Sequence, residues 1–161
     1  MKIRRAKTED LERITDIYNS AILNTTATFD IETKSVDSRR EWFNSHGEKL
    51  PIFVAEADEV MGWVSLSKLF DKGAYAGTVE ISIYIDQEYR GRGVGNALME
   101  RIVSHAKDND KIHTVIARIT GENKVSVHLH QKFGFEFVGT LKEVGYKFDR
   151  YIDVHLYQLL V

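Results

Sequence analysis

Residues 78–102 read TVEISIYIDQEYRGRGVGNALMERI, in which a strand pattern, a glycine-rich turn and a helix pattern follow one another. Within 78–85, apolar residues alternate with Glu80, Ser82 and Tyr84, and a period of two residues is typical of a β-strand. From about Gly93 to Asp108 the apolar residues recur at helical spacing. These residues therefore predict a strand that turns sharply into an amphipathic helix.

The turn has the chemistry of a phosphate site. Residues 90–96 read RGRGVGN, and the glycines let backbone N–H groups approach a ligand closely. The start of the helix adds unpaired N–H donors and partial positive charge, and the flanking arginines add full charges. The spacing matches neither a P-loop nor a dinucleotide-binding fingerprint. A phosphate cradle and a plain glycine turn are the two interpretations, and the arginines favour the cradle.

The rest of the chain alternates short strand and helix patterns. Its only proline is Pro51 and it has no Gly/Ser-rich linker, so we expect one domain over residues 1–161. The predicted strands are 3–6, 52–57, 60–67, 78–85, 114–119, 137–144 and 151–160. The predicted helices are 9–22 after an N-cap at Thr8, then 38–45, 93–108 and 123–133. This order predicts a mixed α/β (α+β) fold, with a central, mostly antiparallel sheet flanked by helices on both sides.

Composition excludes several classes of protein. The 161 residues include no cysteine, which removes disulfides, thiolate metal sites and a catalytic thiol. The net charge of −2 gives no overall reason to bind nucleic acid or an anionic membrane. No apolar run approaches the roughly 20 residues of a membrane span, and the charged N-terminus lacks the apolar core of a signal peptide. We therefore expect a cytoplasmic protein.

Two motifs resemble the GNAT superfamily of N-acetyltransferases. Arg90-x-x-Gly93-x-Gly95 after an alternating strand is similar to its acyl-CoA-binding motif, and residues 123–135 are similar to its next helix and Gly-Phe turn. Segments 27–29, 74–75, 78–80, 145–148 and 153–154 resemble the branch of phosphinothricin and methionine sulfoximine/sulfone acetyltransferases. The resemblance implies a GNAT fold whose sheet splays between two central strands, acetyl-CoA as co-substrate, and a homodimer.

The resemblance also implies which residues hold acetyl-CoA. The backbone of Ile83, Tyr84 and Ile85 would bond the pantetheine arm, and an N–H near Ile83 would face the thioester oxygen. The pyrophosphate would lie on the turn, against Arg90, Gly91, Arg92, Gly93, Val94, Gly95 and Asn96. Asn123 and Ser126 would contact the thiol end of the cofactor.

Glu80 is the candidate catalytic base. A carboxylate is costly on a strand of valine, isoleucine and tyrosine unless it is solvated or used. An acceptor ammonium must lose a proton before its nitrogen attacks a thioester, and a carboxylate can take that proton. Glu80 also matches the position of the catalytic glutamate in the resembled branch. The alternative is a glutamate on a solvated sheet face.

His130 falls where many superfamily members carry a tyrosine that protonates the departing thiolate. A histidine can donate that proton or simply pack, and both interpretations stay open. A metal site is not expected, because His128 and His130 lie two residues apart on a predicted helix and point in different directions.

The candidates for the acceptor pocket lie in loops and on the central strand. Phe29 and Tyr75 are aromatic residues in predicted loops, and Ser82 shares a strand face with Glu80. Lys72 either pairs with an acceptor carboxylate or stays solvated. Trp63 is expected in the core.

We therefore expect an enzyme that moves an acetyl group from acetyl-CoA directly to the amine of a small, amino-acid-like acceptor. The absence of cysteine excludes a thiol-linked acetyl-enzyme. The alternatives are acetylation of a protein N-terminus or a polyamine by the same fold, a non-catalytic acyl-CoA sensor, and a nucleotide-binding regulatory domain. A sensor has no need of a base at Glu80, and the missing nucleotide-binding spacings disfavour the last alternative.

Overall fold

A computed structural model describes all of residues 1–161. The strands are β1 (Lys2–Arg5), β2 (Ile52–Glu56), β3 (Val60–Lys68), β4 (Thr78–Ile85), β5 (Thr114–Thr120), β6 (Glu136–Lys147) and β7 (Arg150–Leu160). The helices are α1 (Leu11–Asn24), α2 (Val36–Asn44), α3 (Val94–Asp108) and α4 (Lys124–Lys132). None of these helices combines the length and the apolar character needed to cross a bilayer.

All strands belong to one sheet, in the order β1-β2-β3-β4-β5-β7-β6. Every neighbouring pair is antiparallel except β4 and β5, which run parallel. That parallel pairing covers only Thr78–Glu80 on β4 and Thr114–Ile116 on β5. Beyond Glu80 and Ile116 the two strands continue without pairing, and we call the gap between them the splay. The predicted mixed, mostly antiparallel and splayed sheet is confirmed.

Helices cover both faces of the sheet, as predicted. On one face, α3 packs Leu98 and Ile102 against the apolar row of β4, and this forms the larger core. On the other face, α1 and α2 cover Trp63, which is 2% exposed. The prediction that Trp63 lies in the core is therefore confirmed. Each large side chain buried in these layers contributes about 1.5–3 kcal/mol of transfer free energy.

The alternation of β4 decides where its polar side chains lie. Val79 and Ile81 are buried in the core beneath α3. Successive side chains on a strand point to opposite faces, so Glu80, Ser82 and Tyr84 lie on the face covered by α1 and α2. Glu80 is also the last residue of β4 that pairs with β5, which places it at the base of the splay.

The C-terminal hairpin differs from the prediction. β6 continues to Lys147 instead of ending at Val144, and a turn of Phe148 and Asp149 leads directly into β7. Both turn residues have positive φ, 52° and 59°. Such primed hairpin turns are usually signalled by asparagine or glycine, so Phe-Asp gave no recognisable signal.

Two helix starts are also corrected. Thr8 is not an N-cap. A 3-10 turn begins at Thr8, and the carboxylate of Asp10 accepts a hydrogen bond of 2.7 Å from the backbone N–H of Lys7. The second helix begins at Val36 and not at Ser38, because the hydroxyl of Ser35 caps it by accepting a hydrogen bond of 3.1 Å from the N–H of Ser38.

Candidate active site

A cavity of about 890 Å³ opens between the splay, the glycine-rich turn and the start of α4. The end of α1 and residues 25–27 form another wall, and Phe148 and Arg150 of the C-terminal hairpin complete it. Ligand pockets in proteins usually measure about 300–1,000 Å³. The cavity is therefore large enough for a cofactor.

The turn presents free backbone donors to this cavity. Gly91 and Gly93 have φ of 73° and 82°, a left-handed conformation that favours glycine. Gly93 stands at the N-cap of α3 without a side-chain cap, which leaves the first N–H groups of the helix without a side-chain partner. Arg90 lines the cavity, whereas the guanidinium of Arg92 lies over the ring of Tyr89 at 5.5 Å.

The splay supplies a second set of backbone groups. Ile83, Tyr84 and Ile85 line the cavity, and they belong to the part of β4 that has no partner on the side of β5. Buried backbone N–H and C=O groups almost always have partners in folded proteins. This edge is therefore suited to an extended ligand that hydrogen-bonds like a strand.

The start of α4 faces the same space. The side-chain oxygen of Asn123 accepts a hydrogen bond of 3.1 Å from the N–H of Ser126, which caps the helix and leaves the amide nitrogen of Asn123 free. Both residues line the cavity. The structure thus brings together all of the predicted cofactor residues except Arg92: Ile83, Tyr84, Ile85, Arg90, Gly91, Gly93, Val94, Gly95, Asn96, Asn123 and Ser126.

Glu80 is engaged by an arginine that the sequence analysis did not single out. The Nε and Nη2 groups of Arg118 donate hydrogen bonds of 2.9 Å and 2.7 Å to the two carboxylate oxygens. The side chain of Glu80 is 18% exposed and that of Arg118 is 54% exposed. Glu80 therefore lies in a partly open pair at the base of the splay, and it does not itself line the cavity.

His130 is part of the core. It is 3% exposed, its ring packs edge-on against Phe135, and its Nδ1 lies 2.7 Å from the carbonyl oxygen of Ser126. This contact places a proton on Nδ1, since a carbonyl oxygen can only accept a hydrogen bond. Burial lowers the pKa of His130, since the charged form would lose its hydration. These contacts favour the packing interpretation.

Phe29 lies in the segment between α1 and α2 and contacts the C-terminal hairpin. Its ring lies so close to Gly145 that a β-carbon at that position would overlap it. Beside this contact, the ammonium of Lys147 donates a hydrogen bond of 2.8 Å to the carbonyl of Thr28, and Lys147 is 4% exposed. Burial lowers the pKa of Lys147. The hairpin therefore fixes the segment that carries Phe29.

The other acceptor candidates lie apart from the cavity wall. Tyr75 is exposed and packs against Phe70 with the ring centroids 4.6 Å apart, and Lys72 is exposed in the same loop without an ion-pair partner. Ser82 is half-buried on the face of Glu80. None of Phe29, Lys72, Tyr75 and Ser82 lines the cavity, so their contact with an acceptor stays a prediction.

Sequence reasoning missed a second arginine–carboxylate pair. Arg150 donates hydrogen bonds of 2.9 Å and 2.7 Å to Glu122, whose carboxylate also accepts one from Thr26 at 3.3 Å. All three residues line the cavity. They are far apart in the chain, so no local pattern connects them. Arg118 did leave a signal, because it is a charged residue within the apolar strand pattern TVIARIT.

No group of three or more His, Asp or Glu side chains is arranged to hold a metal ion. The splayed strand edge and the glycine-rich helix start, which open onto one cavity, together form a site of the kind found in acetyl-CoA-dependent acyltransferases. The family comparison agrees: the model of the acetyltransferase (GNAT) domain matches residues 3–156, and the chain belongs to this family. The predicted GNAT acetyltransferase fold and enzyme class are confirmed.

Within the family, the chain is similar to enzymes with several names. It is 36% identical to the L-methionine sulfoximine/L-methionine sulfone acetyltransferase of Pseudomonas paraeruginosa, over 98% of this chain and 92% of that one. A phosphinothricin acetyltransferase from Sinorhizobium meliloti, solved in complex with AcCoA, superposes with a TM-score of 0.95 at 32% identity, over 99% and 88% of the two chains. A ribosomal-protein-alanine N-acetyltransferase from Brucella melitensis gives a TM-score of 0.96 at 32% identity, over 100% of both chains. The predicted relationship to the phosphinothricin and methionine sulfoximine branch is confirmed.

We predict that His130 weakens the fold when the protein is acidified. The pKa of an unfolded histidine is about 6.5 and that of His130 is lower, so protonation favours the unfolded chain. The contribution of His130 to the free energy of unfolding is complete above about pH 6.5 and falls below it, by at most about 1.4 kcal/mol per pH unit. Urea unfolding at about pH 7 and about pH 5.5 measures this change.

The His130→Gln variant should show a smaller loss of stability between the two pH values than the wild type. His128→Gln changes an exposed histidine of the same helix and serves as the control, with the wild-type pH dependence. An unchanged pH dependence in His130→Gln would contradict a buried, neutral His130.

Proposed function

We propose that the protein transfers the acetyl group of acetyl-CoA directly to the amine of a small, amino-acid-like acceptor such as phosphinothricin or methionine sulfone. The observation that carries the proposal is the meeting of three features: the unpaired edge of β4, the glycine-rich turn, and a carboxylate at the base of the splay. The names of the relatives support the acceptor class, since methionine sulfone and phosphinothricin are both amino acids.

Acetyl-CoA would lie along the cavity, with its pyrophosphate on the turn and its pantetheine arm beside β4. The free N–H groups at the start of α3 and the charge of Arg90 suit a pyrophosphate. The unpaired edge at Ile83–Ile85 suits the amide groups of pantetheine, which would take the place of the missing strand. Asn123, with its amide nitrogen free, would hydrogen-bond near the thiol end.

Glu80 would act as the general base. Its carboxylate would accept a proton from the acceptor ammonium, and the free amine would attack the thioester carbonyl. The tetrahedral intermediate would then collapse: the C–S bond breaks, CoA leaves as a thiolate, and the nitrogen releases its second proton to solvent as the neutral amide forms. An N–H of the unpaired edge near Ile83 would stabilise the oxyanion.

His130 would pack and would not protonate the thiolate. A general acid must carry a proton that it can give to the thiolate. The Nδ1–H of His130 is already bonded to the Ser126 carbonyl, and burial lowers the pKa of the ring, which disfavours a second proton on it. Its absence from the cavity wall supports the same assignment. The acceptor would approach on the face of Glu80 and Ser82, near the loops that carry Phe29, Lys72 and Tyr75.

We also propose that two copies pair through the C-terminal hairpin. β6 is a twelve-residue strand at the edge of the sheet, and exposed strand edges invite pairing. Its region also exposes a group of large apolar side chains: Phe137, Val138, Leu141, Val144, Tyr146 and Tyr151. A patch of this kind on a folded protein usually marks an interaction surface.

The cofactor site is tested by Gly93→Asn. Asparagine tolerates a left-handed backbone better than most residues, and nothing lies within 4 Å of a β-carbon at Gly93, so the fold should survive. The new side chain would enter the pyrophosphate cradle and weaken CoA binding by about 10- to 100-fold in calorimetry. Gly47→Asn, in an exposed loop with equal room, is the control with unchanged binding. Normal CoA binding by Gly93→Asn would mean that the phosphate lies elsewhere.

The catalytic base is tested by Glu80→Gln, which keeps the shape of the side chain and removes its ability to take a proton. We expect kcat to fall by about 10²- to 10⁴-fold near neutral pH, with the affinity for acetyl-CoA nearly unchanged. Glu56→Gln is a matched control, because Glu56 also lies on a strand and pairs through both oxygens with an arginine, Arg4. Turnover of Glu80→Gln close to that of Glu56→Gln would remove Glu80 from the proton transfer.

The dimer is tested by light scattering at concentrations on the order of micromolar. The wild type should have the mass of two chains, and Val144→Glu should shift it towards one chain, because a charge would be buried in the interface. Leu23→Glu, at another exposed apolar residue on α1, should remain dimeric. A monomeric wild type would contradict the proposal.

A further inference from the structure

The pair of Glu80 and Arg118 joins the two strands at the point where they separate. Glu80 and Ile116 form the last paired positions of β4 and β5, and Arg118 is the next residue of β5 on the same face. Arg118 reaches back across the start of the splay to hold both oxygens of Glu80 at 2.9 Å and 2.7 Å. The acceptor amine must come to this place if Glu80 takes its proton.

The guanidinium of Arg118 can bind a further ligand. Its Nη1 group makes no hydrogen bond, since only Nε and Nη2 of Arg118 bond Glu80. The side chain is 54% exposed, so its free Nη1 group can be reached from solvent. An arginine offers five N–H donors in a planar arrangement that matches a carboxylate.

We propose that Arg118 binds the α-carboxylate of the acceptor while Glu80 receives its α-ammonium, which makes the site selective for free amino acids. The inference rests on the proposed acetyl transfer and on Glu80 as its base. An α-amino acid carries its two opposite charges on one carbon, and Glu80 and Arg118 present the complementary charges side by side. Binding would replace one ion pair by two and would leave the net charge of the site unchanged.

The same arrangement disfavours other amines. A polyamine or a protein N-terminus brings an ammonium without an adjacent carboxylate, so it would have to approach Glu80 beside the unneutralised charge of Arg118. Such an acceptor would also leave the N–H donors of Arg118 without the carboxylate partner that Glu80 supplies in the free protein. Arg118 is better placed for this role than Lys72, which lies in an exposed loop without contact to Glu80.

The experiment compares acceptors that differ only in the carboxylate. Steady-state kinetics is measured with L-methionine sulfone, with its carboxamide, and with the corresponding amine that lacks the carboxyl carbon. The enzymes are the wild type, Arg118→Ala, Arg118→Lys and Arg40→Ala. Arg40 is a half-exposed arginine on α2 that pairs with Asp37, which makes it a matched control.

The wild type should prefer the amino acid to both analogues in kcat/KM. In Arg118→Ala this preference should fall by about 10- to 100-fold, mainly through a higher KM for the amino acid, while kcat/KM for the analogues does not fall because the opposing charge is gone. Arg118→Lys should restore part of the preference, since it returns the charge without the planar donors. Arg40→Ala should behave like the wild type.

An unchanged preference in Arg118→Ala would overturn the inference and leave the acetyltransferase intact, with Arg118 serving only to join the two strands. A fall in kcat with equal effects on all three acceptors would also overturn it, because Arg118 would then act through Glu80 alone. If the wild type acetylates none of the amines, the proposed function fails. In that case calorimetry measures the binding of L-methionine sulfone to the wild type and to Arg118→Ala in the presence of CoA. Binding by the wild type that is lost in Arg118→Ala supports the inference. Equal binding by both proteins, or no binding by the wild type, overturns it.

Discussion

The separation of β4 from β5 after three paired positions is the constraint on which the rest of the site depends. A parallel pair that continued to Ile85 would satisfy the backbone and would leave no room between the strands. The splay instead leaves backbone N–H and C=O groups at the middle of the sheet without a strand partner, which is costly unless a ligand or water bonds them. A relative of the same family from Sinorhizobium meliloti was solved with AcCoA, and we propose that a pantetheine arm bonds this edge.

The two faces of the sheet support this opening through different contacts. On the face of α3, aliphatic side chains hold β4 rigidly, and α3 begins at the turn whose glycines face the cavity. On the other face, the rings of Tyr18 and Tyr84 pack edge to face with their centroids 5.2 Å apart. Both hydroxyls hydrogen-bond the segment that carries Phe29. That of Tyr18 bonds Thr28 and Asp30, and that of Tyr84 donates to the Ala27 carbonyl at 3.4 Å. The face on which we propose that the acceptor approaches is therefore built on aromatic packing and hydrogen bonds, and the proposed cofactor edge on backbone geometry.

That division explains what the sequence could reveal. The alternation of 78–85, the glycines of 90–96 and the helix after them are local patterns, and the structure agrees with them nearly residue by residue. Contacts between distant parts of the chain left no such pattern. The bonds of Arg150 to Glu122 and of Lys147 to Thr28 depend on how the C-terminal hairpin folds back, and its Phe-Asp turn carried no signal. The pair of Glu80 and Arg118 became visible only with the register of β4 and β5, although each is a lone charge in an apolar strand.

We infer that acetyl-CoA and an amino-acid acceptor meet at the base of the splay. The most direct test is a crystal structure of the protein with CoA and L-methionine sulfone. We expect the pantetheine amides to hydrogen-bond the backbone of Ile83–Ile85 and the acceptor nitrogen to lie about 2.6–3.2 Å from a carboxylate oxygen of Glu80, or one water away. A pantetheine arm that leaves this edge unpaired, or an acceptor nitrogen bound out of reach of Glu80, would contradict it.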